Sequence, residues 1–435
     1  MPDPPWARLV KALIALGVLA LVTLAVLWQL HVDLGALSAK PILPAISLTF
    51  AALVALRVAL WVGYRPVPLG APDSPPTLTV VVPAFNEGPG VVTTVESLLA
   101  SDYPRDRLRV IVVDDGSRDD TGPALDAALA RLRAAGEDRF EVIHLARNMG
   151  KRHALHAGFA RATSELIATV DSDSLALPGT LRALVAPFVH AKVAGVAGRV
   201  MVWNRYRNLM TRMLHVRYVL GFDFVRAYQS RLGTVWCCPG ALQAYRLDVV
   251  RPHLDTWLHQ RFLGTRCTNG DDHALTNLVL SLGYDTRYQS SAEVYTIVPH
   301  TYARLCKMYI RWGRSATREG WRALAFTPRR AASRGVLRGA AIALDALAQP
   351  LGIALRLASI GGGAWLMLFQ PAWLLRTMLL STLFALPYAL VYLRSERSTD
   401  VLFGILYGWF ALLCLFWVQP FATLTVRRNG WLTRK

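Results

Sequence analysis

Four apolar, largely β-branched runs in the middle of the chain each stop at polar side chains, and helical stretches separate them. The runs are "LTVVVPAFNE", "RLRVIVVDDGS", "RFEVIHLARN" and "ELIATVDSDS". Between them, "GVVTTVESLLA", "TGPALDAALARLRAAG" and "KRHALHAGFARAT" space their apolar residues as one face of a helix. Continuous apolar strands are buried on both faces, so the pattern predicts an α/β, Rossmann-like fold with a mostly parallel sheet covered by helices. Ligands of such sheets bind at the carboxyl ends of the strands. Those ends carry Asn86 and Glu87, just after Pro83, then Asp114 and Asp115, Asn148, and Asp171 and Asp173. Several polar groups on one sheet edge point to a site more strongly than any single motif.

Each motif has a chemical reading beside a structural one. Asp171 and Asp173 are one residue apart at a strand end. They either share a hard cation such as Mg²⁺ or Mn²⁺, which takes one or two carboxylates and leaves room for phosphate oxygens, or cap a helix. Asp114 and Asp115 either accept from a uracil N–H or a ribose hydroxyl, or shape the turn that Gly116 allows. Lys151 and Arg152 follow a glycine at a helix start, where cations and free N–H groups suit a diphosphate; a solvated basic turn is the alternative. Asp271 and Asp272 lead into another helix, one as cap and the other as general base. In "KMYIRWGRS", Arg311 offers a cation for a leaving diphosphate and Trp312 a flat face for a sugar or base. Together these parts fit attack by a hydroxyl on the anomeric carbon of a nucleotide sugar, with the base taking the proton.

The chain is 53% hydrophobic, high for a soluble protein, and the excess lies at its two ends. Residues 9–30 and 42–64 each match a membrane-spanning helix in length, and residues 1–65 are read as two such helices. Three apolar blocks follow the middle region: residues 340–369 with a glycine break, 374–393 and 401–426. Arginines flank the middle region and place it in the cytoplasm by the positive-inside rule. The formal net charge of +19 follows from these flanks or from a polyanionic substrate or product, and no nucleic-acid partner is expected. Residues 204–229 and 302–326 mix arginine with large apolar side chains and read as interface helices or as core helices with basic edges. Arg57 and Asp345 lie in or near apolar runs, either facing a wet interior or reaching for the interface. Five cysteines without a CxxC set argue against a disulfide framework or a zinc site.

The ordered series "PAFNE", "VDDGS", "NMGKRHALHAGF", "VDSDS", "GDDHALT" and "IRWGRS" resembles the family 2 glycosyltransferases of GT-A fold. Within them it is most similar to the membrane-integrated hyaluronan synthases. The resemblance implies a cytosolic GT-A domain over residues 66–300, an interface helix with the Arg-Trp motif over 301–337, membrane or interfacial helices over 338–426, and a basic tail over 427–435 that could gate the site. It implies inverting, processive transfer from UDP-sugars (UDP-N-acetylglucosamine and UDP-glucuronic acid), Mg²⁺ or Mn²⁺ as cofactor, export of the polysaccharide across the cell membrane, and no obligate protein partner. By the same resemblance Asp272 is the base with Asp271 beside it, and Asp173 with Asp171 binds the metal. The nucleotide is met by Pro83, Asn86, Glu87, Asp114, Asp115, Lys151, Arg152, Asp171, Arg311 and Trp312, and the acceptor by Cys237, Gly240 and Trp312. The chain departs from that pattern at Met308 and Tyr309, where glutamines are usual, at Pro239-Gly240-Ala241 in the acceptor loop, and at His273-Ala274. Chitin-oligosaccharide and poly-N-acetylglucosamine synthases share the same skeleton, and a non-processive lipid-carrier transferase shares the strand-end motifs.

Overall fold

The computed structural model describes residues 55–69, 75–369 and 385–428, with positions 53, 378 and 382. The expected first span at 9–30, the start of the second, much of the block at 374–393 and the end of the basic tail lie outside the described residues.

The described chain forms two compact units. Its larger unit takes in the described residues within 65–204 and 229–353, and residues 418–428. Its strands are β1 (Leu78–Ala84), β2 (Leu108–Asp114), β3 (Phe140–His144), β4 (Leu166–Val170), β5 (Leu175–Ala176), β6 (Val193–Val202), β7 (Leu242–Arg246), the hairpin β8 (Arg261–Phe262) and β9 (Thr265–Arg266), and β10 (Asp285–Thr296). Eight of these form one sheet in the order β3-β2-β1-β4-β7-β6-β10-β5. The helices that cover it and carry the site are α1 (Gly90–Leu99), α2 (Thr121–Ala134) and α3 (Lys151–Arg161).

The first half is parallel: β1 pairs with β2 and β4, and β2 with β3. Val80, Val81 and Val82 of β1 are fully buried, as the continuous apolar run requires. The expectation of a mostly parallel sheet is corrected in the second half. There β7 runs against both β4 and β6, and β5 against β10, so the sheet is mixed. Between β6 and β7 the chain passes through a helical stretch at 209–232 and a loop at 233–241, and it enters β7 antiparallel to both neighbours.

The smaller unit holds α4 (Leu209–Val219), which runs on into a π-helical stretch at Leu220–Arg226. Asn208 and Thr211 cap α4 reciprocally. Phe224 and Tyr228 pack with Val391 and with partly buried Trp61 and Tyr388. Arg212 pairs with Asp400 at 3.6 Å and lies over the Phe403 ring, so the arginines of this segment meet protein partners.

Further along, α5 is Asp271–Ser281, α6 Tyr302–Ala332, α7 Val336–Phe369, α8 Leu386–Glu396, α9 Val401–Cys414 and α10 Val418–Leu424. The glycines at 361–363 do not break α7, which is continuous over 34 residues. Among the described residues, its segment Val336–Ala354 is one helix long and apolar enough to cross a membrane. Val336 and Leu337, which open it, are 88% exposed.

Candidate active site

The strand ends converge as the alternation of side chains requires. Neighbouring Asp114 and Asp115 point opposite ways. Asp114 accepts from the Ser117 N–H at 3.0 Å and faces His144 Nδ1 at 3.1 Å. It lines a polar cavity of about 460 Å³ with Ser117, Arg118, His144, Arg147 and Asn148. Asp115 accepts from the Met149 and Gly150 N–H groups at 2.8 and 2.7 Å. Burial raises its pKa, against the pull of those two donors. Gly116 sits at φ +69°, and a Cβ there would come within 2.6 Å of the Arg147 backbone, so the turn requires glycine. Pro83 is buried in β1 opposite Val113. Asn86 and Glu87 brace the neighbouring loops: the Asn86 carboxamide oxygen accepts from Arg118 N–H, and the Ser172 hydroxyl donates to Glu87.

Gly150, at φ 96°, caps α3 and presents Lys151 as its first residue. The Lys151 ammonium contacts Asp171 Oδ1 and stands 3.9 Å from Asp271 Oδ2. Burial works against its charge, but Asp171 and Asp271 outweigh that and its pKa is raised. Asp271 and Asp272 are the first two residues of α5, where carboxylates oppose the helix dipole favourably; the cap itself is Gly270, in the left-handed region at φ 74°. Asp271 is buried, and burial raises its pKa although Lys151 draws it down. Its Oδ2 meets no hydrogen-bond donor among the described residues.

Asp272 faces the other way. Its Oδ2 accepts from the Gly240 N–H at 3.2 Å and lies 4.0 Å from the Cys237 thiol. Gly240 threads between the groups: a Cβ there would lie 2.9 Å from Lys151 Nζ, 3.8 Å from Asp272 Cβ and 3.9 Å from Asp171 Oδ1. A buried chain of hydrogen bonds fixes this loop from below. Thr169 donates to Gly240 O, Gln243 to Thr169, Tyr245 to Gln243, and the Thr276 hydroxyl accepts from the Cys238 N–H. Lys151, Asp171, Asp271, Asp272, Cys237 and Gly240 therefore share one small volume.

Arg152 is not with them. The residue is 2% exposed, and its guanidinium donates to Trp257 O at 3.0 Å and to Gln260 Oε1 at 2.8 Å and stacks on the Trp257 ring. The sequence expectation for Arg152 is a phosphate contact, and the partners it meets here are Trp257 and Gln260. Adjacent residues of a helix point about 100° apart, and Lys151 takes the direction of the site.

Arg311 and Trp312 stand on α6. Trp312 is 38% exposed and its ring meets Tyr309 at 5.6 Å. One turn beyond Arg311, on the same face, Ser315 packs so closely on Gly270 that no side chain fits there. Arg318 donates to Asn269 O at 2.8 Å, and buried Glu319 accepts from Gln260 and Asn277, each at 3.0 Å. Sequence reasoning missed Arg318 and Glu319. Their signal was an acid next to an arginine on an otherwise basic amphipathic helix.

Asp171 and Asp173 follow β4 in a turn. Among the described residues no three His, Cys, Asp or Glu side chains stand close enough to hold a metal alone. Two carboxylates completed by diphosphate oxygens are a donor set that Mg²⁺ or Mn²⁺ takes, and of this pair Asp171 offers its Oδ1 to the Lys151 ammonium.

Residues 79–254 match the model of the glycosyl transferase family 2. An N-acetylglucosaminyltransferase of Rhizobium meliloti is 32% identical over 367 residues, covering 82% of this chain and 82% of its own. The chain belongs to glycosyltransferase family 2. A hyaluronan synthase of Streptococcus pyogenes is 30% identical to this glycosyltransferase over 368 residues, covering 82% of the chain and 83% of its own length. A solved mannosyltransferase from Pyrobaculum calidifontis, in complex with GDP-Man and Mn²⁺, is similar with a TM-score of 0.48 and 21% identity, over 79% of this chain and 99% of that one. The mixed sheet with its acidic strand ends is the GT-A fold of this glycosyltransferase family.

Proposed function

We propose that this glycosyltransferase is a processive, inverting synthase that polymerises UDP-sugars, hyaluronan-like in using UDP-N-acetylglucosamine and UDP-glucuronic acid, and exports the product across the cell membrane. The observation that carries the reading is Asp272, held by the Gly240 N–H beside the acceptor loop and poised on the first turn of α5. A carboxylate so placed takes the proton of an acceptor hydroxyl as it attacks the anomeric carbon. Inversion follows, because the attack and the departure of UDP occur on opposite faces of that carbon in one step.

Lys151 supplies fixed positive charge where the diphosphate leaves, and Arg311 on α6 adds to it. The Asp114 cavity receives the uridine end. Asp173 with Asp171 would hold Mg²⁺ or Mn²⁺, which neutralises diphosphate charge when bound. Asp271 is kept close to Lys151 and tunes the charge around it. Cys237 and Gly240 border the terminal sugar of the acceptor, with Trp312 toward its ring. The apolar segment Val336–Ala354, together with the terminal apolar runs, supports a multi-pass membrane protein with this domain in the cytoplasm.

A second reading, a chitin-type synthase that uses UDP-N-acetylglucosamine alone, is favoured by the N-acetylglucosaminyltransferase relatives and by Met308, Tyr309 and Pro239 at acceptor and donor positions. The purified full chain, in detergent with Mn²⁺ or Mg²⁺, tests both. Each donor is offered alone and then together, and UDP release and polymer size are followed. High-mass, hyaluronidase-sensitive product only with both donors supports the first reading. Polymer from UDP-N-acetylglucosamine alone replaces it with the second, and single additions without polymer overturn processivity.

A further inference from the structure

Asp345 is a carboxylate on the apolar segment Val336–Ala354 of α7, and it is buried. An acid in such a helix needs partners that satisfy it. Its Oδ2 accepts from the indole Nε1–H of Trp236 at 2.9 Å and from the Gln229 side-chain amide at 3.0 Å. Trp236 immediately precedes Cys237, and the four residues Cys237 to Gly240 end on the Asp272 carboxylate. The Trp236 ring also packs against Phe326 of α6 at 6.2 Å.

The same short stretch is held at two further points. Arg330 donates to the Thr234 hydroxyl at 2.8 Å and to Gly233 O at 2.5 Å, and Arg338 to Leu232 O at 2.8 Å. These arginines grip backbone oxygens and a hydroxyl upstream of Trp236. Asp345 grips the residue adjacent to the loop itself, through a side chain with one N–H to give.

We propose that Asp345 is a positioning residue for the acceptor side of the site. By fixing the Trp236 indole it sets the Cys237–Gly240 loop against Asp272, and it leaves the donor groups Lys151, Asp171 and Asp114 alone. The inference rests on the transferase reading above. With the loop loosened, a bound UDP-sugar still loses UDP, but water takes the place of the misplaced acceptor: the anomeric bond to UDP breaks, a bond to water oxygen forms, Asp272 takes the water's proton, and free sugar is released.

The test uses the full chain and the variants Asp345→Leu, Asp345→Asn, Trp236→Phe and the double Asp345→Leu/Trp236→Phe. Sugar incorporated, UDP released, donor KM and direct UDP affinity are read on each. Asp345→Leu and Trp236→Phe should each cut incorporation by about tenfold, as expected for a sub-ångström misplacement, and raise UDP released per sugar incorporated. Donor KM and UDP affinity should stay within about twofold. Asp345→Asn keeps an oxygen for the indole and should retain most of the activity. The double variant should be no worse than Asp345→Leu alone, which already removes the bond to Trp236.

Multiplying defects, a wild-type ratio of UDP to incorporated sugar in Trp236→Phe, or equal loss of UDP affinity and incorporation would each overturn the proposal. If Asp345→Leu fails to fold, Trp236→Phe and Asp345→Asn still decide. A wild-type chain that adds single sugars would sink the polymerase reading and leave this ratio measurable.

Discussion

Gly240→Ala isolates the position of one ammonium. The added Cβ would lie 2.9 Å from Lys151 Nζ, where ordinary contact begins at 3.4 Å, so the ammonium must retreat by about 0.5 Å. The clashing atom ends a flexible side chain, so the fold absorbs the change for about 1 kcal/mol or less. Chemistry is less tolerant. A 1 Å misplacement costs roughly 10²-fold in rate, so half of that costs about tenfold, or about 1.4 kcal/mol of transition-state stabilisation. The assay is initial UDP release at saturating donor, with thermal midpoint and UDP affinity measured in parallel. Gly116→Ala is the control, because its Cβ would strike backbone at 2.6 Å with φ at +69°, and it should lower the thermal midpoint instead. A Gly240→Ala enzyme at wild-type rate would refute the assignment of Lys151 to the leaving group. An unfolded one would refute the claim that only a side chain is in the way.

Three further outcomes follow from the site. Asp272→Asn should lower transfer by about 10² to 10⁴-fold while UDP affinity stays close to wild type; product at the normal rate would remove Asp272 from the base role. Arg152→Ala should destabilise the fold by about 3 kcal/mol through its lost bonds to Trp257 and Gln260, read as a lower thermal midpoint, and Lys151→Met should lose activity. For His144, burial alone would depress the pKa, but hydrogen bonds to Asp114 and Asp126 prevail and raise it above the ordinary histidine value. Its contribution to stability is therefore complete below the ordinary histidine range and is lost as pH rises through the raised pKa; the gap in thermal midpoint between wild type and His144→Gln should shrink over that window, and a gap that widens would contradict the pairing.

The strands that end at Ala84, Asp114 and Val170 were legible because a strand buried on both faces is a nearly unbroken apolar run. The reversal of β7 was not, since nothing local in "LQAYR" records the direction of its neighbours. Lys151 and Arg152 look equivalent in sequence, and only the rotation of the helix sends one to Asp171 and the other to Trp257. Asp114 and Asp115 likewise part company because successive residues leave an extended chain on opposite sides. Asp345 stood out as an acid in an apolar run. Its partner Trp236 lies 109 positions away, and no local pattern links the two. Glu319 was overlooked because the side chains that donate hydrogen bonds to it, Gln260 and Asn277, lie 59 and 42 positions away.

One helix touches the site at both ends. Ser315 of α6 seats on Gly270, ahead of the base, and Arg330 of the same helix holds Gly233 and Thr234, at the root of the acceptor loop. The two contacts are fifteen residues apart, about 22 Å along the axis. Like the jaws of a caliper, base and acceptor loop take their spacing from a single bar. A change of accepted sugar is then reached by exchanging side chains such as Met308 or Tyr309 along that bar, since shifting the bar would move both jaws and unset the reaction with the specificity.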